Sequence, residues 1–281
     1  FMQFGRQEGR FASEEEANAE LQRGQGSTGF PKKGNIVLVS HDAELGGAQQ
    51  VIRVLGEWLS RTTPYSVQFV TMNGGPFVET FREIAPVFNA GAFDPSTASS
   101  RLKEFIAPDT CAVFVNSVAS GGFFDVWEDE TIPCMAYIHE LPKMLNQHKE
   151  FVELIRTRCR TVIAGSVAVK VALETEFSFE NSVLETVHGF IEDIPLSEDN
   201  LDKAVCKASV GLDPDRPVVS ACGILHWRKS PRKFVETAKR VKEDFGENVQ
   251  FVWIGDGPDR EECQQLIDDL GLSDLVLITG Y

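Results

Sequence analysis

The sequence predicts an α/β protein built on parallel sheets and divided into two domains. Three observations carry that expectation. Short apolar runs rich in Val and Ile alternate with longer stretches whose apolar residues recur at helical spacing, which is the pattern of βαβ units. Glycines or polar residues follow several of these runs, at the strand ends where open α/β sheets place their ligands. A length of 281 residues suits two such domains, and an acidic, proline-punctuated segment at 192–215 separates two blocks of the alternation.

Residues 1–33 are rich in Gln, Gly, Glu and Arg without a sustained apolar face, so a mobile arm is expected there; Ser13 and Glu16 have the spacing to cap a short helix. The first domain, 34–195, opens with a buried strand at 35–40 by its continuous apolar character. His41-Asp42-Ala43-Glu44-Leu45-Gly46-Gly47-Ala48 follows, and then a helix over 49–60 with apolar residues at 51, 52, 54, 55, 58 and 59. Backbone at Gly46 and Gly47 can come close to a bulky anion at the helix start, or the pair is a tight turn without a ligand. Further strands are expected at 67–71, 86–88, 111–116, 133–138, 161–164 and 183–187, with helices at 77–84, 99–106, 151–158 and 166–175. The strand at 133–138 ends in His139-Glu140-Leu141-Pro142. His139 at that edge either faces a ligand or caps the next helix; His148 has no assigned partner.

The linker, 196–215, contains a helix-like piece near 202–210 and Asp213-Pro214-Asp215, which has either a metal-chelating form or that of a plain turn. The second domain, 216–281, begins with Val218 and Val219, passes Gly223, carries Arg228 and Lys229 in a loop, and opens a helix at Ser230-Pro231. Cations beside a helix amino terminus suit a phosphate, or they are two solvated charges. A helix through 245, a strand at 249–254, Gly255-Asp256-Gly257-Pro258, a helix at 260–270 and a strand at 275–278 complete half of a doubly wound sheet.

A net charge of −15 and a pI near 4.8 argue against a nucleic-acid partner, which would need clustered Lys and Arg. No apolar run is long enough to span a bilayer. Six cysteines without a C-x-x-C pair fit a reducing cytoplasm. The chain starts at Phe1 and stops at Tyr281 after a strand-like run, so a fragment of a longer polypeptide is expected.

Leu45-Gly46-Gly47-Ala48, Tyr137-Ile138-His139-Glu140, Val187-His188-Gly189-Phe190-Ile191, Gly223 with Trp227-Arg228-Lys229, Ile254-Gly255-Asp256-Gly257-Pro258, and Leu270-Gly271-Leu272 through Thr279-Gly280-Tyr281 together resemble a family 4 glycosyltransferase, from about Asn35 to the last residue. The resemblance implies a GT-B fold of two Rossmann-like domains, the second incomplete here. It also implies transfer from a nucleotide-diphosphate sugar with retention of anomeric configuration, without a cofactor or an obligatory metal. By this resemblance Arg228 and Lys229 neutralise the leaving diphosphate and His139 contacts the donor sugar. Gly46, Gly47, Gly223, Asp256, Gly257 and Tyr281 lie on the donor side. The acceptor, a glycan, lipid or small molecule, would meet loops near 73–77 and 117–125. Phe123, Phe124 and Trp127 there form an apolar acceptor platform or pack the helix after the strand at 111–116. Peripheral contact with a membrane stays open for a lipid-linked acceptor.

The sequence departs from the family in three places. Ile224 stands where many relatives carry Arg, and His188-Gly189 where many carry Asn-Gly. The family's Glu-x7-Glu motif and returning helix would lie beyond Tyr281, so the chain as given is expected to be inactive or nearly so. A noncatalytic nucleotide-sugar-binding or scaffolding subunit completed by a partner chain is the alternative. A nucleotide-sugar epimerase keeps the fold but fits the His139 and Trp227-Arg228-Lys229 motifs less well.

Overall fold

A computed structural model describes residues 33–190 and 202–280. The expected amino-terminal arm lies outside the described residues apart from Lys33, as do Tyr281 and part of the expected linker. The chain divides into two compact units, Phe1–Asp193 and Ile194–Tyr281.

The first unit is a parallel sheet of β1 (Gly34–Ser40), β2 (Tyr65–Thr71), β3 (Val87–Asn89), β4 (Thr110–Asn116), β5 (Cys134–Ile138), β6 (Cys159–Ala164) and β7 (Leu184–Thr186), in the order β3-β2-β1-β4-β5-β6-β7. The chain starts mid-sheet, builds outward through β2 and β3, then lays β4 on the other side of β1. Strand order therefore reverses between β1 and β4, the position at which doubly wound folds bind ligands. Alternation within β1 sends Val37 and Val39 into one core and Leu38 into the other, all three fully buried. A strand covered on both faces must be apolar throughout, hence its unbroken run in sequence.

Among the described residues the helices of this unit are α1 (Gly47–Thr62), α2 (Phe77–Arg82), α3 (Pro95–Phe105), α4 (Pro142–Gln147), α5 (Lys149–Arg158) and α6 (Val167–Glu176). Helix α1 sits so close to the sheet that a Cβ on Gly56 would stand 2.4 Å from Cζ of Phe69, so glycine is required at that crossing. At the opposite edge from the glycine loop, buried Asn35 donates to Gln68 Oε1 (2.8 Å) and Thr110 Oγ1 (2.9 Å), tying the amino ends of β1, β2 and β4 together. Gln68 Nε2 then donates to the Phe105 carbonyl at 2.7 Å. These residues cost little to bury because they satisfy one another.

Helix α3 starts earlier than the expected 99. Asp94 Oδ1 accepts the N–H groups of Ser96 and Thr97, each at 3.1 Å, and Pro95 opens the helix. An Asp-Pro start was present in sequence, but the Ser and Thr run behind it masked the helical stripe. The helices expected without bounds after β4 and after His139 are a 3-10 segment over Val118–Asp125 and α4. Of the two readings of Phe123, Phe124 and Trp127, the interior one holds. They are 0%, 5% and 3% exposed, and Phe123 stacks on Trp127 at 5.8 Å, which leaves no aromatic platform.

The second unit contains α7 (Lys203–Ser209), β8 (Val218–Cys222), α8 (Pro231–Phe245), β9 (Gln250–Ile254), α9 (Arg260–Asp269) and β10 (Val276–Gly280). Its strands are parallel in the order β10-β9-β8. Val235 and Ala238 of α8 and Ile267 of α9 share one core with Phe251 and Trp253 of β9. Phe234 meets both aromatic rings edge-on, at 5.5 and 5.4 Å. Asp213 accepts the backbone N–H of Asp215 at 2.9 Å, so this stretch has the local bond of a plain turn.

Candidate functional site

In the first unit the carboxyl ends of β1, β4 and β5 bring together residues far apart in sequence. Asn116 ends β4 and is fully buried. Its Nδ2 donates to the carbonyl of Ala48, in the first turn of α1, at 2.8 Å. That bond fixes the amide, so Oδ1 is the atom that meets His139 Nε2 at 2.8 Å. An amide oxygen only accepts, so Nε2 carries the proton and Nδ1 keeps the lone pair. Asn116 thereby couples the Gly46-Gly47 helix start to His139.

Burial is the main force holding the His139 imidazole below its ordinary pKa; nearby His41 adds to the effect and Glu140 opposes it. The ring is therefore neutral near pH 7. Glu140 holds the surroundings in place. Its carboxylate accepts the backbone N–H groups of His139 (3.0 Å) and Val118 (3.1 Å) and the hydroxyl of Ser117. Ser117 takes a φ of 79°, a strained value for a residue with a side chain, and this short network retains it. Tyr137 packs its ring 4.1 Å from that of His139 and donates its hydroxyl to the Val187 carbonyl at 3.1 Å, joining β5 to the end of β7.

Gly47 opens α1, and a Cβ built there would meet nothing within 4 Å. Packing within this unit therefore does not explain this glycine, and the backbone at the helix start is open there. At Gly46 a Cβ would come within 2.4 Å of Gln49 Oε1, the movable end of a side chain. Gln49 itself donates to the Asp42 carboxylate, which also accepts the Glu44 N–H at 3.0 Å and lies 3.3 Å from His41 Nε2. His41, Asp42, Asn116 and Glu140 thus belong to this edge, although sequence reasoning gave none of them a role. The signal was available: each is a polar residue at the end of an apolar strand.

In the second unit Arg228 and Lys229 sit in a 3-10 turn, Trp227–Lys229, with exposed side chains. His226 caps the turn through Nδ1, which accepts the Arg228 N–H at 3.4 Å. Ser230 follows with φ 56°, and Pro231 opens α8. Gly223 has φ 143°, which excludes other residues, while a Cβ there would meet nothing within 4 Å. Gly257 has a different reason: its Cβ would stand 2.4 Å from the Leu225 carbonyl oxygen. The two loops are joined by Gly223 N–H to Ile254 O and Leu225 N–H to Asp256 O, both 2.9 Å. Asp256 accepts the Gly257 N–H at 2.8 Å and pairs with Arg260 at 3.1 Å, so its carboxylate serves its own loop. Tyr281, assigned to the donor side by resemblance, lies outside the described residues.

No protein-family model matches the chain. Over 79 residues it is 38% identical to the alpha-D-kanosaminyltransferase of Streptomyces kanamyceticus, a stretch covering 28% of this chain and 20% of that protein. Over 74 residues it is 35% identical to the 2-deoxystreptamine N-acetyl-D-glucosaminyltransferase of Streptomyces fradiae, covering 26% of this chain and 18% of that one. The chain thus matches no more than a fifth of the length of these two curated relatives. The structure of Anabaena HepE in complex with UDP and glucose superposes with a TM-score of 0.68 at 16% identity, over 88% of this chain and 69% of that one. The α/β architecture with its parallel seven-stranded sheet matches GT-B glycosyltransferase structures.

Proposed function

We propose that this chain is part of a glycosyltransferase that moves a sugar from a nucleotide-diphosphate donor to an acceptor with retention of configuration, acting in the cytoplasm without a resident cofactor or obligatory metal. The observation that carries the reading is the stretch of 35–38% identity shared with two glycosyltransferases, in a chain with the matching fold. The site geometry is in keeping with it. In the reaction an acceptor hydroxyl oxygen bonds to the anomeric carbon. The bond from that carbon to the phosphate oxygen breaks, and its electron pair leaves with the nucleoside diphosphate, which takes up the hydroxyl proton directly or through water. Arg228 and Lys229, exposed and preceding a helix start, are suited to the charge that grows on the leaving group. Neutral His139, with Nδ1 as its acceptor, is suited to a donor-sugar hydroxyl. Gly46, Gly47 and Gly223 let backbone approach the donor, and the pinned Asp256-Gly257 loop supports Gly223 from behind.

Calorimetric titration with UDP, GDP and ADP, on this chain and on a longer polypeptide containing it, tests the donor. Saturable binding of one nucleotide is expected, followed by sugar transfer with retained configuration when the nucleotide sugar and an acceptor are supplied. Binding without transfer by the longer polypeptide would favour a noncatalytic subunit. No nucleotide binding by either folded form would overturn the proposal.

A further inference from the structure

Trp253 of β9 makes a contact that the packing of its rings does not require. The side chain is buried in the core of the second unit, edge-on to Phe234 of α8. Its indole Nε1 donates to the carbonyl oxygen of Gly223, in the loop after β8, at 2.8 Å. An indole N–H only donates, and without this carbonyl it would be a buried donor with nothing to meet. Gly255 encloses the same oxygen from another side, since a Cβ there would stand 2.3 Å from it. The Gly223 N–H is held as well, by the Ile254 carbonyl at 2.9 Å. Both polar groups of Gly223 are thus occupied by β9 and the loop that follows it.

Capture of that carbonyl dictates where the next amide points. The described chain has no cis bond, so the Gly223–Ile224 peptide is trans, and a trans peptide sends its C=O and N–H in opposite directions. With the carbonyl drawn towards Trp253, the Ile224 N–H faces away from β9. Among the described residues it has no hydrogen-bond partner. The loop is open around it: a Cβ on Gly223 would meet nothing within 4 Å, and Ile224 is itself exposed. Arg228 and Lys229 follow in the same loop with exposed side chains.

We propose that the Ile224 N–H is a hydrogen-bond donor to the diphosphate of the nucleotide, and that Trp253 is the positioning residue that aims it. The assignment rests on the glycosyltransferase reading above. The Ile224 side chain carries no charge, so its contribution is the backbone dipole, a donor already fixed in direction before the anion arrives. Arg228 and Lys229 supply charge on long side chains, and the amide supplies orientation. Phe234 lies in the first turn of α8, so Trp253 holds this loop at both ends: Gly223 through a hydrogen bond, and the helix start through ring contact.

The test is amide NMR of the 281-residue chain titrated with inorganic pyrophosphate, a probe that has neither base nor sugar. The Ile224 amide proton is expected to move downfield and to saturate with the probe. Trp253→Phe keeps an aromatic ring beside Phe234 and removes the donor. It should weaken pyrophosphate binding about tenfold, as misaligning one hydrogen bond to a charged group would. Adding Ile224→Arg to that variant should recover the loss, because a guanidinium brings N–H donors that do not depend on the peptide plane. A loss caused only by a looser core would not recover. An Ile224 amide that stays in place while Arg228 and Lys229 respond would overturn the assignment. So would full affinity in a folded Trp253→Phe variant, a loss that Ile224→Arg leaves unrepaired, or no binding of pyrophosphate to the unaltered chain. If Trp253→Phe does not fold, the Ile224 amide of the unaltered chain decides. The two readings fail separately. The expected Ile224 response without sugar transfer by a longer polypeptide would retire the reaction and keep the anion site, whereas nucleotide binding and transfer with an unmoved Ile224 amide would do the reverse.

Discussion

Replacing Asn116 with alanine should both loosen the first unit and unlock His139. The side chain is fully buried and makes two hydrogen bonds of 2.8 Å, one to Ala48 O and one with His139 Nε2. Alanine fills neither role, and the crevice edge leaves two polar groups without their partner. Each such group costs about 1–3 kcal/mol when it stays dry. Water reaching the His139 side, which is partly exposed, offsets some of this, so the expected loss is about 2–4 kcal/mol. For a unit of this size that lowers Tm by roughly 4–15 °C. Hydrogen exchange is the appropriate assay because it reads the first unit alone: amides of β1 and β4 should lose protection in proportion, while those of β9 should not change. His139 should also titrate at a higher pH by NMR, since solvent now reaches the ring. A loss below about 1 kcal/mol with an unmoved His139 titration would refute the coupling of β4 to the histidine.

Other predictions address the remaining parts. Gly257→Ala should destabilise the second unit by about 2–4 kcal/mol, measured by denaturant unfolding, because its Cβ would strike the Leu225 carbonyl; a neutral effect would mean the loops are not in contact. Lys229→Ala, in a polypeptide competent for transfer, should lower kcat by about 10–1,000-fold with a smaller change in KM, as a charge acting on the leaving group requires; a change in KM alone would assign it to ground-state binding. The His139 pKa is lowered on folding, so the unfolded chain takes up its proton first as pH falls. Stability should therefore drop as pH is lowered through the ordinary imidazole range towards the depressed folded value, and His139→Gln should flatten that part of the profile. A folded-state titration of His139 at or above the ordinary imidazole value would contradict the cause assigned here.

The fold was legible because burial on both faces leaves a plain mark: β1, β4 and β5 are nearly unbroken apolar runs, and β8 with its basic turn and Pro231 announced a strand-to-helix unit. The 3-10 segment was not legible. Its Gly121-Gly122-Phe123-Phe124 carries no helical period, and its shape is imposed by Phe151, distant in sequence. Glycines were readable as special positions but not as to why. Gly257 is demanded by the Leu225 backbone, Gly56 by Phe69, and Gly47 by nothing in its own unit, and these distinctions exist only in three dimensions. For the same reason His139 was visible and Asn116 was not. A histidine has chemistry on its face, whereas an asparagine at a strand end gains its role from the two atoms it happens to bridge.

The interlock of the two glycine loops in the second unit bears on how a ligand would be sensed. Because 223–225 and 255–257 share backbone hydrogen bonds and leave no room for a Cβ between them, neither can tilt without carrying the other. Arg260 extends the same body to β10 through the Ile278 carbonyl. A nucleotide that touched Gly223 would push on a lever whose far arm is the last strand of the sheet. A displacement of the 255–257 loop would reach Ile278 through the Asp256–Arg260 pair.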